Sequence, residues 1–154
     1  MHLDLPRWKE LPDMDLYLEQ VLSLLDARLS GQLPGKRKQV LTRTMVNNYV
    51  KQKIIPAPVN KKYTKQTVAA LFLVACLKNV YAISDIARLI AIAMKDRDMA
   101  EAYDEFCDYM EGAVEKAFSN GEKAARQDGV DYLMENVAGS FACQLFVMKN
   151  HLNK

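Results

Sequence analysis

Residues 41–58 read LTRTMVNNYVKQKIIPAP, and the fold turns on this stretch. Thr42 is a good helix cap, because its hydroxyl can accept a hydrogen bond from one of the first helical amides, which have no partner inside the helix. At 100° per residue, Met45, Val46, Tyr49 and Val50 fall on one side, and Thr44, Asn47, Asn48 and Lys51 fall on the other. The spacing predicts a helix over 42–53 with one face to pack and one face free. Ile54–Pro58 cannot continue it, since proline lacks an amide hydrogen and biases the residue before it toward extended backbone.

Upstream, SGQLPGKRKQ (residues 30–39) reads as an exposed loop, with two Gly, one Pro and three consecutive basic residues. Before it, Asp13–Asp15 can cap a helix reaching Leu29, whose apolar face is formed by Leu16, Leu18, Val21, Leu22, Leu24, Leu25 and Leu29. Residues 1–12, with two prolines and the single Trp, are expected as an irregular arm packed on the domain.

Downstream, VNKKY (59–63) is expected as a short extended or hairpin element. Thr64 then caps a very apolar helix reaching Val80, and Ser84 caps the next, with Asp85 suited to the positive helix end. Met99, Tyr103, Phe106, Met110, Ala113 and Ala117 keep helical spacing, with eight acids between Asp96 and Glu115 on the other faces. A break over 119–129 and a last helix over 130–152 complete the chain.

Charge is divided unevenly. From Ala27 to Ser84 there are eleven Lys and Arg and no Asp or Glu, whereas the rest of the chain holds ten basic and nineteen acidic side chains. A block of one sign concerns partners more than fold, because it attracts polyanions by releasing their counterions.

Other classes are disfavoured. The longest apolar run, Val68–Leu77, is closed by Lys78 and falls well short of the ~20 residues needed to cross a bilayer. The opening MHLDLPRWKE lacks the basic-then-apolar order of a signal peptide, so a cytoplasmic protein without membrane association is expected. Cys76, Cys107 and Cys143 have no paired spacing, which suggests neither a disulfide framework nor a zinc site, and all three are expected as core residues. No phosphate loop, dinucleotide fingerprint or nucleophile elbow is present, so neither catalysis nor a cofactor is expected. RNA binding is disfavoured too, because the middle segment lacks the stacking aromatics of single-strand readers.

The middle of the chain resembles MerR-type transcription regulators. Their recognition helix and turn read approximately V-S-x-R-T-L-R-Y-Y-E-x-x-G-L-L-P-P. Thr42 matches the cap, Val46 the buried Leu, Tyr49 the second Tyr, Ile54 and Ile55 the two Leu, and Pro56 the first Pro. KKYTKQTV (61–68) resembles the wing end and next helix start, and YAISDIARL (81–89) a third block. Thr44 and Asn47 stand where those regulators usually carry Arg, and Lys53 stands at the helix-ending Gly. The whole chain, including LPRW (5–8) and VNNYVKQKIIP (46–56), also resembles a bacterial family known only as a domain of unknown function.

Together these readings predict an all-α protein with a winged helix-turn-helix core and additional N- and C-terminal helices, divided at 1–95 and 96–154. The expected function is DNA binding in transcription regulation, and the rival is a helical protein–protein interaction module. Asn47 and Asn48 are expected on base edges, Thr44 on a base or phosphate, Arg43 and Lys51 on the backbone, and Lys61, Lys62 and Tyr63 in a wing. The expected partners are duplex DNA and a second copy of the chain through the C-terminal helices, the alternative being that those helices fold back on the same domain. No effector can be named.

Overall fold

The computed structural model describes residues 1–35, 38–125 and 129–153, and they are mostly helical. Helices α1 (Leu18–Leu29), α2 (Arg43–Lys51), α3 (Lys65–Leu77), α4 (Ile83–Met94), α5 (Met99–Ala125) and α6 (Gly129–Val147) are joined by strands β1 (Leu16–Tyr17) and β2 (Lys62–Tyr63). A 3-10 turn at Trp8–Glu10 precedes them, and a π turn at Met148–Leu152 follows α6.

Two of the expected caps are present. The Thr42 hydroxyl accepts from the Met45 amide at 3.1 Å, and the Thr64 hydroxyl from the Thr67 amide at 3.3 Å. Ser84 is not a cap: Ala82 holds that position and α4 begins at Ile83. Asp13–Asp15 do not cap α1 either. Leu16–Tyr17 are drawn into antiparallel pairing with Lys62–Tyr63, which delays the helix to Leu18. Two-residue strands carry almost no periodicity, so the pairing has no sequence signal. Asp13 instead accepts from Lys65 Nζ at 2.7 Å.

α3 is apolar nearly all round and is accordingly the central helix, with Val68, Leu71, Phe72, Leu73 and Val74 buried. Val21, Leu22, Leu25 and Leu29 of α1, Leu41, Val46 and Tyr49 around α2, and Ile86 of α4 complete the same core. Leu24 is only partly covered.

The N-terminal arm is fastened to α5. Tyr103 is buried and donates its hydroxyl to the Pro6 carbonyl at 2.7 Å, the Trp8 amide donates to Asp104 Oδ1 at 2.7 Å, and Arg7 pairs with Asp108 at 2.7 Å. Trp8 packs edge-on to Tyr103 with ring centres 6.3 Å apart. These bonds place the start of α5 with the residues before it. The chain forms two compact units, Asp4–Asp108 and Met1–Leu3 with Tyr109–Lys154.

In the second unit α5 continues to Ala125, past the start of the expected break at 119. Residues 126–128, the remainder of that break, lie outside the described residues. Tyr132 of α6 donates its hydroxyl to the Ala117 carbonyl at 2.6 Å. No described helix is long and apolar enough to cross a membrane.

Candidate nucleic-acid interface

α2 presents the two faces its sequence predicts. Val46 and Tyr49 are buried, whereas Arg43, Thr44, Asn47, Asn48 and Lys51 are exposed. Residues 44, 47, 48 and 51 are three or four apart, so their side chains form one continuous polar stripe. The helix ends in a left-handed cap: Lys53 has φ +59°, and the Ile54 amide donates back to the Tyr49 carbonyl at 2.9 Å. That backbone conformation usually takes glycine, which explains in physical terms why a glycine would suit position 53.

The loop before α2 is anchored at Val40. Its amide donates to Asp26 Oδ1 at 2.8 Å, and its carbonyl accepts from Lys78 Nζ at 2.7 Å. α1 and α3 thus both hold the segment that leads into α2. Behind α2, Met45, Tyr49, Leu33, Val40 and Ile83 line a cavity of about 460 Å³. Lys36 and Arg37 of the basic loop lie outside the described residues.

Residues 59–62 form a two-residue hairpin. Val59 and Lys62 exchange both backbone hydrogen bonds at 3.0 Å, and Asn60 and Lys61 between them have φ +51° and +64°. Two successive positive φ values are those of a type I′ turn, whose twist matches the flanking strands. Lys61 is therefore exposed at the tip, and Lys62 lies with its ammonium 5.0 Å from the Tyr17 ring centre. β2 continues from this hairpin and pairs with β1, where Leu16 faces Tyr63 and Tyr17 faces Lys62.

A chain of contacts brings the hairpin beside the start of α2. Arg43 pairs with Glu19, two residues after Tyr17, and the Tyr17 ring carries Lys62. Burial pushes the Tyr63 hydroxyl pKa up, against the opposing charge of the nearby Arg43. Tyr63 itself is 4% exposed. Its ring packs in the core, which corrects its expected place among wing contacts: register with Leu16 turns it inward.

Several cations of the basic segment are engaged within the fold. Lys65 holds Asp13 and lies 4.7 Å from the Trp8 ring centre, Lys78 holds Val40, and Arg28 lies 3.6 Å from Glu10. By contrast Lys38, Lys51, Lys53 and Lys61 are exposed and have no ion-pair partner among the described residues. Lys38 and Lys53 were not among the expected contacts. Their proximity in sequence to the basic loop and to Lys51 is the signal that points to them.

Residues 6–106 match the family described as Domain of unknown function (DUF1836). The chain belongs to the DUF1836 family. No curated protein and no solved structure matches the chain. The DUF1836 match nearly coincides with the compact unit Asp4–Asp108, running from Pro6 in the arm to Phe106 on α5, close to the Tyr103 that binds that proline. α2 and the hairpin both lie inside the DUF1836 span, whereas the second half of α5 and all of α6 lie outside it.

The cysteines occupy three environments. Cys107 is buried, Cys76 is half-buried with its thiol pKa pushed up to about 12 chiefly by burial, and Cys143 is exposed. The exposure of Cys143 corrects the expectation that all three are core residues, because α6 buries none of its side chains.

Proposed function

We propose that this DUF1836 protein binds duplex DNA as a transcription regulator of the winged helix-turn-helix type, with α2 in the major groove and the 59–62 hairpin against the adjoining backbone. The observation that carries the reading is the polar stripe Thr44, Asn47, Asn48 and Lys51, exposed on a helix whose opposite face is buried, inside a 58-residue segment without one acidic side chain. Asparagine side chains can pair in two-point fashion with adenine edges, and lysines can hold phosphates without reading sequence. In this reading Asn47 and Asn48 discriminate bases, Thr44 contacts a base or phosphate, and Arg43, Lys51, Lys61 and Lys62 set register. Lys38 and Lys53 join them as further phosphate contacts.

The test is a comparison of two duplexes, one selected from a random pool by the protein and one of unrelated sequence, at two salt concentrations. Asn47→Ala or Asn48→Ala should cost about 1–3 kcal/mol on the selected duplex and little on the other. Lys51→Ala and Lys61→Ala should weaken both about equally and reduce the salt dependence. Absence of binding at low salt, or binding that does not weaken as salt rises, overturns the reading.

A further inference from the structure

We propose that α6 pairs antiparallel with α6 of a second copy of this chain. The proposal does not rest on DNA binding. Within α6, Val130, Leu133, Met134, Val137, Phe141 and Leu145 are each between 42% and 65% exposed. At 100° per residue they lie within an arc of about 120°, so they form one stripe and are not scattered. Their exposed parts sum to roughly 700 Å², close to the ~800 Å² that each partner contributes to a stable interface. An apolar stripe of that size is a docking surface, since soluble chains rarely leave one open to water.

The spacing of the stripe identifies the occupant. Turned end for end about a point midway between Val137 and Phe141, α6 sets Val137 against the second copy's Phe141 and Leu133 against its Leu145. The stripe is therefore complementary to itself in the reversed direction, as a two-fold interface requires.

The charges follow the same symmetry. Asp131 stands at the start of α6, and Lys149 stands about five turns later on the same flank. Neither has an ion-pair partner among the described residues. In the reversed pair each Asp131 stands two residues, about 3 Å along the axis, from the second copy's Lys149, within reach of the lysine side chain, giving two equivalent opposite-charge contacts at the ends of the apolar stripe. Phe146 lies on the opposite side of the helix and is 60% exposed, so it serves as an internal control.

Sedimentation equilibrium of the full chain, without DNA, tests the pairing, with helicity checked by circular dichroism. A dimer is expected at micromolar concentration. Val137→Asp should raise its dissociation constant at least tenfold, and Phe146→Asp should leave it within about twofold. Asp131→Lys and Lys149→Asp should each weaken the dimer, and the two together should restore it. A wild-type chain that stays monomeric overturns the proposal, as does equal loss in Val137→Asp and Phe146→Asp, or a double variant that does not recover. A chain that is monomeric in buffer yet cosediments with phosphatidylglycerol vesicles overturns it in favour of a lipid surface. None of these outcomes depends on whether α2 reads DNA.

Discussion

Arg43 at the start of α2 is ion-paired with Glu19 at the start of α1. The pair ties two helices that are separated by a long loop, and it also neutralises one cation of the proposed DNA face. Glu19 accepts from its own backbone amide and from Arg43, and both hold its carboxyl below the usual carboxylate range. Glu19→Gln should therefore tighten binding to unrelated duplex at low salt by roughly two- to fivefold, the scale of one exposed charge pair, as measured by fluorescence anisotropy. A weaker complex would mean that the pair orients Arg43 for its contact. The pH sign follows from the lowered pKa: the pair is intact above the ordinary carboxylate range and is lost as pH falls through the depressed value. Between pH 6 and pH 8 it should contribute no pH dependence.

Lys61 separates folding from binding. Its φ of +64° at the hairpin tip suits glycine, so Lys61→Gly should raise stability by about 0.5 kcal/mol, the relief of a left-handed residue less the added freedom of glycine when unfolded. The same change should lower affinity for duplex and reduce the salt slope by about one. Urea denaturation and a salt titration read the two effects independently. Loss of both stability and affinity would show that the lysine side chain supports the turn.

The Tyr103 hydroxyl holds the Pro6 carbonyl in a buried bond. Tyr103→Phe leaves that carbonyl without its partner and should cost about 1–3 kcal/mol. The single Trp, Trp8, packs against this ring, so its emission should shift red as the arm loosens. Burial raises the Tyr103 pKa far above the usual phenol range. Folded-state stability from this bond is therefore present below the ordinary tyrosine pKa and persists as pH rises toward it.

Thiol reactivity should follow burial. At pH 8 one thiol per native chain, Cys143, should react promptly with a disulfide reagent, while Cys107 and Cys76 wait for unfolding. In denaturant all three should titrate. Rapid reaction of Cys76 in the native protein would mean that the apolar packing around it opens readily.

Much of the proposed face was legible in the sequence, because its signals are local. Thr42 and Thr64 cap their helices through bonds spanning three residues, the prolines at 56 and 58 forbid continuation, and the 3.6-residue period separates Asn47 and Asn48 from Val46 and Tyr49. Each of these follows from side chains a turn apart, whatever the rest of the chain does. The tertiary structure decided what depends on distant partners. Pairing of Leu16 with Tyr63 turned that tyrosine inward, and Glu19 claimed Arg43. The bond between Pro6 and Tyr103, 97 residues apart, gathered the start of α5 into the first unit. Both helices carry apolar residues at helical spacing, yet α1 buries five of its side chains and α6 buries none. Periodicity reveals that a helix has a face to cover, but only the positions of all the other elements determine whether this chain covers it.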